Sequence, residues 1–273
     1  MFHNVKTRST LQSVLVTIEL IYHATVRDVR KAHGNAIMAI VVNIMVTVLF
    51  VLAFYVMFVM LGIRGTALRG DFLLYIMTGI FLFITHTKAL GAVVGAEGPA
   101  SPMMLHAPMN TMIAICAASL STLYIQTLSL LVILFFYHVI FTPITIEEPI
   151  PAYGMFLLAW GSGIAIGLLL LSIKPWLPGF VAMTTTVYQR ASMIASGKMF
   201  VANALPSFLL SMFSWHPLFH AIDQTRGFVF INYFPRNSMW EYPLYLSLAF
   251  VMLGLMGEFY TRQYASLSWS ARR

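Results

Sequence analysis

Hydrophobic positions along this chain follow one pattern at the start and another after it. Between residues 11 and 31 they recur at helical spacing: Leu11, Val14, Leu15, Ile18, Ile21, Tyr22, Val26 and Val29. Gln12, Glu19, His23, Arg27, Arg30 and Lys31 occupy much of the rest. One greasy face and one polar face predict a helix lying in the plane of a membrane interface. Gly34 and Asn35 then turn the chain, and the periodicity disappears. Residues 36–61 carry no charge, and only Asn43 and Thr47 are clearly polar. A helix of that length would run about 39 Å, more than the ~30 Å hydrocarbon core of a bilayer.

Five further apolar stretches follow, giving an all-α integral membrane protein with six expected spans. The second covers residues 72–94 and the third 109–141, whose extra length is expected to project beyond the bilayer. The fourth covers residues 153–173 and stops at Lys174-Pro175. The fifth, near residues 180–200, is irregular. Pro178, Gly179, Gln189, Arg190, Gly197 and Lys198 break the stretch that contains it. Short helices at the surface, or re-entering it, are expected over residues 201–241, because non-helical backbone at membrane depth must be covered by protein or water. The last span, residues 243–260, is regular. No repeat and no low-complexity tract divides the chain, so residues 1–273 read as one transmembrane domain.

Composition agrees with this picture. Hydrophobic residues make up 59% and charged residues 9% of the 273 residues, against roughly 25% charged in ordinary soluble domains. The net charge of +7 matters less than its placement. Lys6, Arg8, Arg27, Arg30 and Lys31 precede the first span, Arg262, Arg272 and Arg273 follow the last, and Lys88 and Lys174 fall near the same side. The loop after the third span has Glu147 and Glu148 and no Lys or Arg. The positive-inside bias therefore predicts cytoplasmic termini, although Arg64 and Arg69 oppose it. A single cysteine, Cys116, excludes an intrachain disulfide and a thiolate cluster.

Four segments, in order, resemble the membrane subunit of type-2 ABC exporters, in the branch that exports polysaccharides. Arg27-Asp28-Val29-Arg30-Lys31 is similar to the family's R-E-x-x-x-R-[FY] entry to the membrane. Leu105-His106-Ala107-Pro108-Met109 resembles its L-L-x-x-P-x-V segment between the second and third spans. Ser196-Gly197-Lys198-Met199-Phe200 followed by Leu205-Pro206 resembles S-G-x-x-[YF]…L-P. The most specific is Trp215-His216-Pro217-Leu218-Phe219-His220-Ala221-Ile222-Asp223-Gln224-Thr225-Arg226, which resembles N-P-L-x-H-x-x-E-x-x-R, with His216 in place of Asn and Asp223 in place of Glu. The resemblance implies a homodimeric permease in a bacterial inner membrane, exporting a long, lipid-linked glycan. It also implies two cytoplasmic ATPase subunits that carry ATP and Mg²⁺, and export proteins further out in the envelope. No nucleic-acid partner is expected.

The candidate chemistry fits that division of labour. No Gly-x-x-x-x-Gly-Lys-[Ser/Thr] occurs, since the Ser196-Gly197-Lys198 sequence lacks the upstream glycine and ends in Met199. An ATPase must then be another chain, with no catalytic residue, cofactor or metal assigned to this one. Handles for it are Arg27 and Arg30 on the first helix and Glu97, Met103, Met104, Leu105 and His106 in the segment 95–108, read as a cytoplasmic coupling segment whose apolar side chains suit a partner's groove. The bland alternative is a helix floating on lipid and a plain connecting loop. Sugars stack on aromatic faces, so Phe54, Tyr55, Phe58, Tyr188 and Phe200 are translocation-path candidates, with Arg190 on a wet path because an intramembrane arginine costs about 2.5–3.5 kcal/mol. The competing reading packs each aromatic against lipid and neighbouring helices and lets Arg190 snorkel to the interface.

His216, Pro217, His220, Asp223 and Arg226 form the candidate extracytoplasmic gate. Pro217 suits a first helical turn and His216 its cap. His216, His220 and Asp223 share a face, and Arg226 stands i+3 from Asp223. The same strip reads as a structural acid–base pair, or as three metal ligands. Competing functions are export of a drug or lipid on the same scaffold, and an intramembrane enzyme using His86, His106, His138 or His220.

Overall fold

The computed structural model describes residues 10–31, 34–62, 70–98 and 110–264. All regular structure among them is helical. Helix α1 (Thr10–Lys31) precedes α2 (Ala36–Met60), α3 (Phe72–Val94), α4 (Thr111–Ile140) and α5 (Pro149–Ile173). Then come α6 (Pro178–Ala195), a 3₁₀ turn (Ala202–Ala204), α7 (Ser207–Phe213), α8 (Pro217–Val229) and α9 (Glu241–Tyr264).

Five of these, α2, α3, α4, α5 and α9, are long and apolar enough to cross a bilayer, which makes this a multi-pass, membrane-embedded protein. The expected fifth span is the exception. Pro178 and Gly197 bracket α6 at 18 residues, and Thr184, Thr185, Thr186, Gln189 and Arg190 dilute its hydropathy, so it does not qualify as a sixth span.

Side-chain caps start the helices where the sequence supplies them. Asn35, Asp71 and Asn110 each accept a backbone N–H two residues on, at α2, α3 and α4, satisfying a donor that the helix cannot. Prolines open α5, α6 and α8, where a missing N–H costs nothing. At its other end α3 is capped by Lys174, whose Nζ donates to Val94 O at 2.7 Å.

Helix α3 is the central post. Sixteen of its 23 residues are buried, and it packs against α2, α4, α5, α6 and α8. Its closest partner is α5, and Gly163 sets the distance, because a Cβ there would overlap the carbonyl oxygen of His86. Small residues at such crossings let backbones approach in lipid, where no hydrophobic force drives helices together. Helix α2 is joined to α4 by polar contacts: Asn43 donates to Ser129 Oγ at 2.9 Å and accepts from Gln126 Nε2 at 3.0 Å.

Helix α1 lies against the start of α4, with Ala24 packing on Ile113 and Ala117. Val14, Leu15, Ile18 and Tyr22 remain exposed on its other side, as a helix bedded in an interface requires.

Between α5 and α9 the chain passes from the Val94 end of α3 to its Gly70 end in pieces, running up, back and up again. Helix α6 ends near the level of Gly79 in α3, where Lys198 touches that glycine. After α7 the chain returns to the depth of His86, seven residues further along α3, where His216 caps α8. Helix α8 then climbs back, about 20 Å in 13 residues, to Phe230 beside Gly70. Short helices were expected over residues 201–241, and α7 and α8 are two of them. Helix α8 is buried: ten of its thirteen residues are inaccessible.

Candidate functional site

Two polar assemblies fix α6, α8 and the turn between them to the post, and both use residues of the candidate gate. The first begins at His86, fully buried in α3. Its Nδ1 lies 3.1 Å from Ala159 O and 2.9 Å from Ser162 Oγ. A carbonyl only accepts, so Nδ1 carries the proton. Nε2 then accepts from the Tyr188 hydroxyl, 3.0 Å away in α6. Ser192, one turn along α6 from Tyr188, meets His216 Nε2 at 2.8 Å. His216 Nδ1 accepts the N–H of Leu218 at 3.2 Å, which assigns its proton to Nε2 as well. The rings of Tyr188 and His216 stack at 5.6 Å.

Ser192 and His216 have the spacing of a nucleophile and its base, but the polarity is reversed. His216 donates to the serine and has no lone pair left to take its proton.

The second assembly surrounds residues 196–200. Gly197 takes φ +77°, a left-handed turn that suits glycine, and presses on Phe219. The turn points three carbonyls at Arg226. That guanidinium donates to Gly197 O (3.0 Å), Lys198 O (2.9 Å) and Phe200 O (2.6 Å) and lies 4.2 Å from the Tyr75 ring centre. The Lys198 side chain leaves in the other direction. Its ammonium has no hydrogen-bond partner and sits 3.5 Å from the Phe83 ring centre, 4.8 Å from Phe54 and 5.6 Å from Phe50. Cation–π attraction, about 2 kcal/mol or more when desolvated, offsets part of the hydration it lost.

The gate residues therefore come together, with different pairings from those the sequence implied. Asp223 and Arg226 form no ion pair. Asp223 accepts from Tyr233 and from Ser238 Oγ (2.7 Å), while Arg226 spends its donors on the turn. His220 donates to Ser214 O at 2.6 Å and accepts from Met239 N at 3.1 Å. With both nitrogens of His216 and His220 occupied, these rings and Asp223 do not converge as metal ligands. Among the described residues no three His, Cys, Asp or Glu side chains do.

The path candidates separate. Phe54 and Phe58 point into the core, Phe54 under Lys198 and Phe58 edge-on to Phe72 at 5.7 Å. Tyr188 belongs to the hydrogen-bond chain, and Phe200 stacks on Phe213 at 5.2 Å. Tyr55 lines a cavity of about 1030 Å³ at the Asp71 end of the bundle. Arg190 is exposed on α6, on a face shared with Met183, Val187 and Ile194.

No family model and no curated protein matches this chain.

At the opposite end, two coupling candidates far apart in sequence meet. Arg27 of α1 and Glu97, just past α3, line one cavity of about 210 Å³ together with Lys31. Arg27 pairs with Asp28 at 3.2 Å, and Arg30 borders the adjoining hollow. Met103, Met104, Leu105 and His106 lie outside the described residues.

Sequence reasoning missed the Lys198 cage and the His86 chain. Phe50 and Phe54 share a face of α2, but no periodicity brings Phe83 and Lys198 to them. His86 offered only the signal of a lone imidazole in an apolar helix.

Asp71, the α3 cap, lies at the mouth of the larger cavity. Burial alone would raise its pKa, but hydrogen bonds from Tyr137, Thr142 and the backbone of residues 73 and 74 prevail and lower it below the ordinary 3.8. Its stabilising contribution is therefore complete above that value and vanishes as pH falls through the lower, folded one. The stability difference between the native protein and Asp71→Asn is expected to be constant from pH 7 to about pH 5 and to shrink towards pH 3. Thermal midpoints in detergent check this, and a difference independent of pH would refute it.

Proposed function

We propose that this chain is the permease subunit of an ATP-driven exporter that moves a lipid-linked cell-surface polysaccharide across a bacterial inner membrane. It works as a homodimer with separate cytoplasmic ATPase subunits, and its termini face the cytoplasm. The observation that carries the reading is the meeting of Arg27 and Glu97 at one cavity. A helix along the membrane surface and the exit of the central post come together there. A motor pressing on that point reaches α3 directly and, through His86 and Lys198, α6, α8 and the turn between them.

Arg190 supports the homodimer. Its neighbour Tyr188 bonds His86 inside the span α3, so the arginine sits at membrane depth on an exposed face. Facing lipid it would cost about 2.5–3.5 kcal/mol; a second copy or a wet path between two copies removes that cost. The four motif resemblances supply the polysaccharide.

Charge reversal at Glu97, with Arg27 reversed in a second variant, tests the reading in liposomes containing the partner ATPase. Export is expected to fall roughly tenfold, within the usual range of a coupling free energy, while ATP hydrolysis and folding persist. Normal export by both variants would sink the assignment.

A further inference from the structure

The cavity of about 1030 Å³ beside Asp71 does not end at the membrane surface. Leu52, Leu73, Tyr137 and Phe141 line it and also line a second hollow of about 430 Å³ between α2 and α4. The first mixes polar and apolar groups, whereas the second is almost purely apolar. The first holds the carboxylates of Asp71 and Glu147, the hydroxyls of Thr142 and Thr145, and the rings of Tyr55 and Phe72. The second is walled by Val41, Met45, Val48, Val132, Ile133 and Phe136 and is almost wholly apolar. It lies along two helices that each qualify as spans, with Met45 and Phe136 more than half exposed.

A chamber carrying carboxylates, hydroxyls and aromatic rings that opens into an apolar furrow fits an amphiphile. We propose that the two hollows form one binding site for a glycolipid, with its sugar head beside Asp71 and Glu147 and one hydrocarbon chain between α2 and α4. The proposal rests on the exporter reading for its biological source, but the choice of a sugar comes from the chamber. Its size is at the upper end of ligand sites, about 300–1,000 Å³, which suits a head of more than one ring. Carboxylates and hydroxyls accept hydrogen bonds from sugar hydroxyls. Tyr55 and Phe72, 6.0 Å apart and tilted by 50°, offer faces for sugar C–H groups. The Asp71 oxygens are already committed to Leu73, Tyr137 and Thr142. Glu147, exposed at the rim, is therefore the principal recognition group.

The test uses the full chain in phosphatidylcholine nanodiscs and two probes with the same photoreactive alkyl chain, one bearing a maltose head and the other phosphocholine. The maltoside is expected to label peptides from residues 41–52 and 132–141. Glu147→Gln and Tyr55→Ala should each cut that labelling by about threefold to tenfold, as loss of a hydrogen bond or a stacking face implies, and leave the phosphocholine probe unaffected. Val48→Trp, which fills the furrow, should abolish the maltoside signal. Equal labelling by both probes with no response to Glu147→Gln would overturn the proposal and leave a boundary-lipid contact. Labelling spread over all lipid-facing helices would overturn it too. Because no ATPase is present, failure of the Glu97 experiment leaves this result standing, and the converse also holds.

Discussion

Alanine at position 226 is expected to cost about 3–5 kcal/mol, the range for removing one side of a buried charged arrangement. The reason is the state of what remains. Three carbonyl oxygens of the turn at residues 196–200 would lose their donor in a region closed to water, and hydrogen bonds to a charged group are each worth about 1.5–3 kcal/mol. Released, the turn would also loosen Lys198 from its ring of phenylalanines. The measurement is the thermal midpoint of the detergent-solubilised protein, alongside its yield in membranes. Arg226→Lys should recover little, since an ammonium cannot address three diverging carbonyls and the face of Tyr75 as a planar guanidinium does. A full recovery by lysine, or a loss below about 1 kcal/mol with alanine, would show that the carbonyls find other partners.

Valine at position 163 is the second large effect expected, about 3 kcal/mol or somewhat more, at the top of the range for overpacking. The obstructing atom is backbone, the carbonyl oxygen of His86, so no rotamer change relieves it. Helices α3 and α5 would have to separate, which also pulls His86 from Ser162 and Ala159. Gly161→Val is the control: nothing lies within 4 Å of a Cβ at Gly161, so its midpoint should stay near that of the native protein. Equal behaviour of the two variants would mean that the α3–α5 crossing is looser than described.

What the sequence disclosed follows from what lipid demands of it. Residues 36–61 had to be helical because unpaired backbone is intolerable in hydrocarbon, and α2 was legible for that reason. The amphipathic helix was equally plain, because one interface imposes one period. The segment after Pro178 was harder. Its polar residues signalled a departure from simple crossing, but not where each would find a partner. Asp223 and Arg226 stand three apart on one helix, and helical geometry offered them to each other. The fold instead brings Tyr233 and Ser238 to the acid and a turn 26–29 residues upstream to the base. Such long-range pairings leave no periodic trace. The path candidates show the same limit: spacing put Phe54, Tyr55 and Phe58 on one helix, and packing then turned two of them inward.

The hydrogen bonds from Leu218 through His216 to Ser192, and from Tyr188 through His86 to Ala159, each have a direction. A backbone group at one end commits each ring's proton, so neither ring can flip without breaking its sequence of donors. Helices α3, α5, α6 and the start of α8 are thereby braced like the welded corner of a frame. Any change of shape in the bundle falls first to the joints lacking such bracing, above all α2, which is held by Asn43 to Gln126 and Ser129 and otherwise by apolar packing.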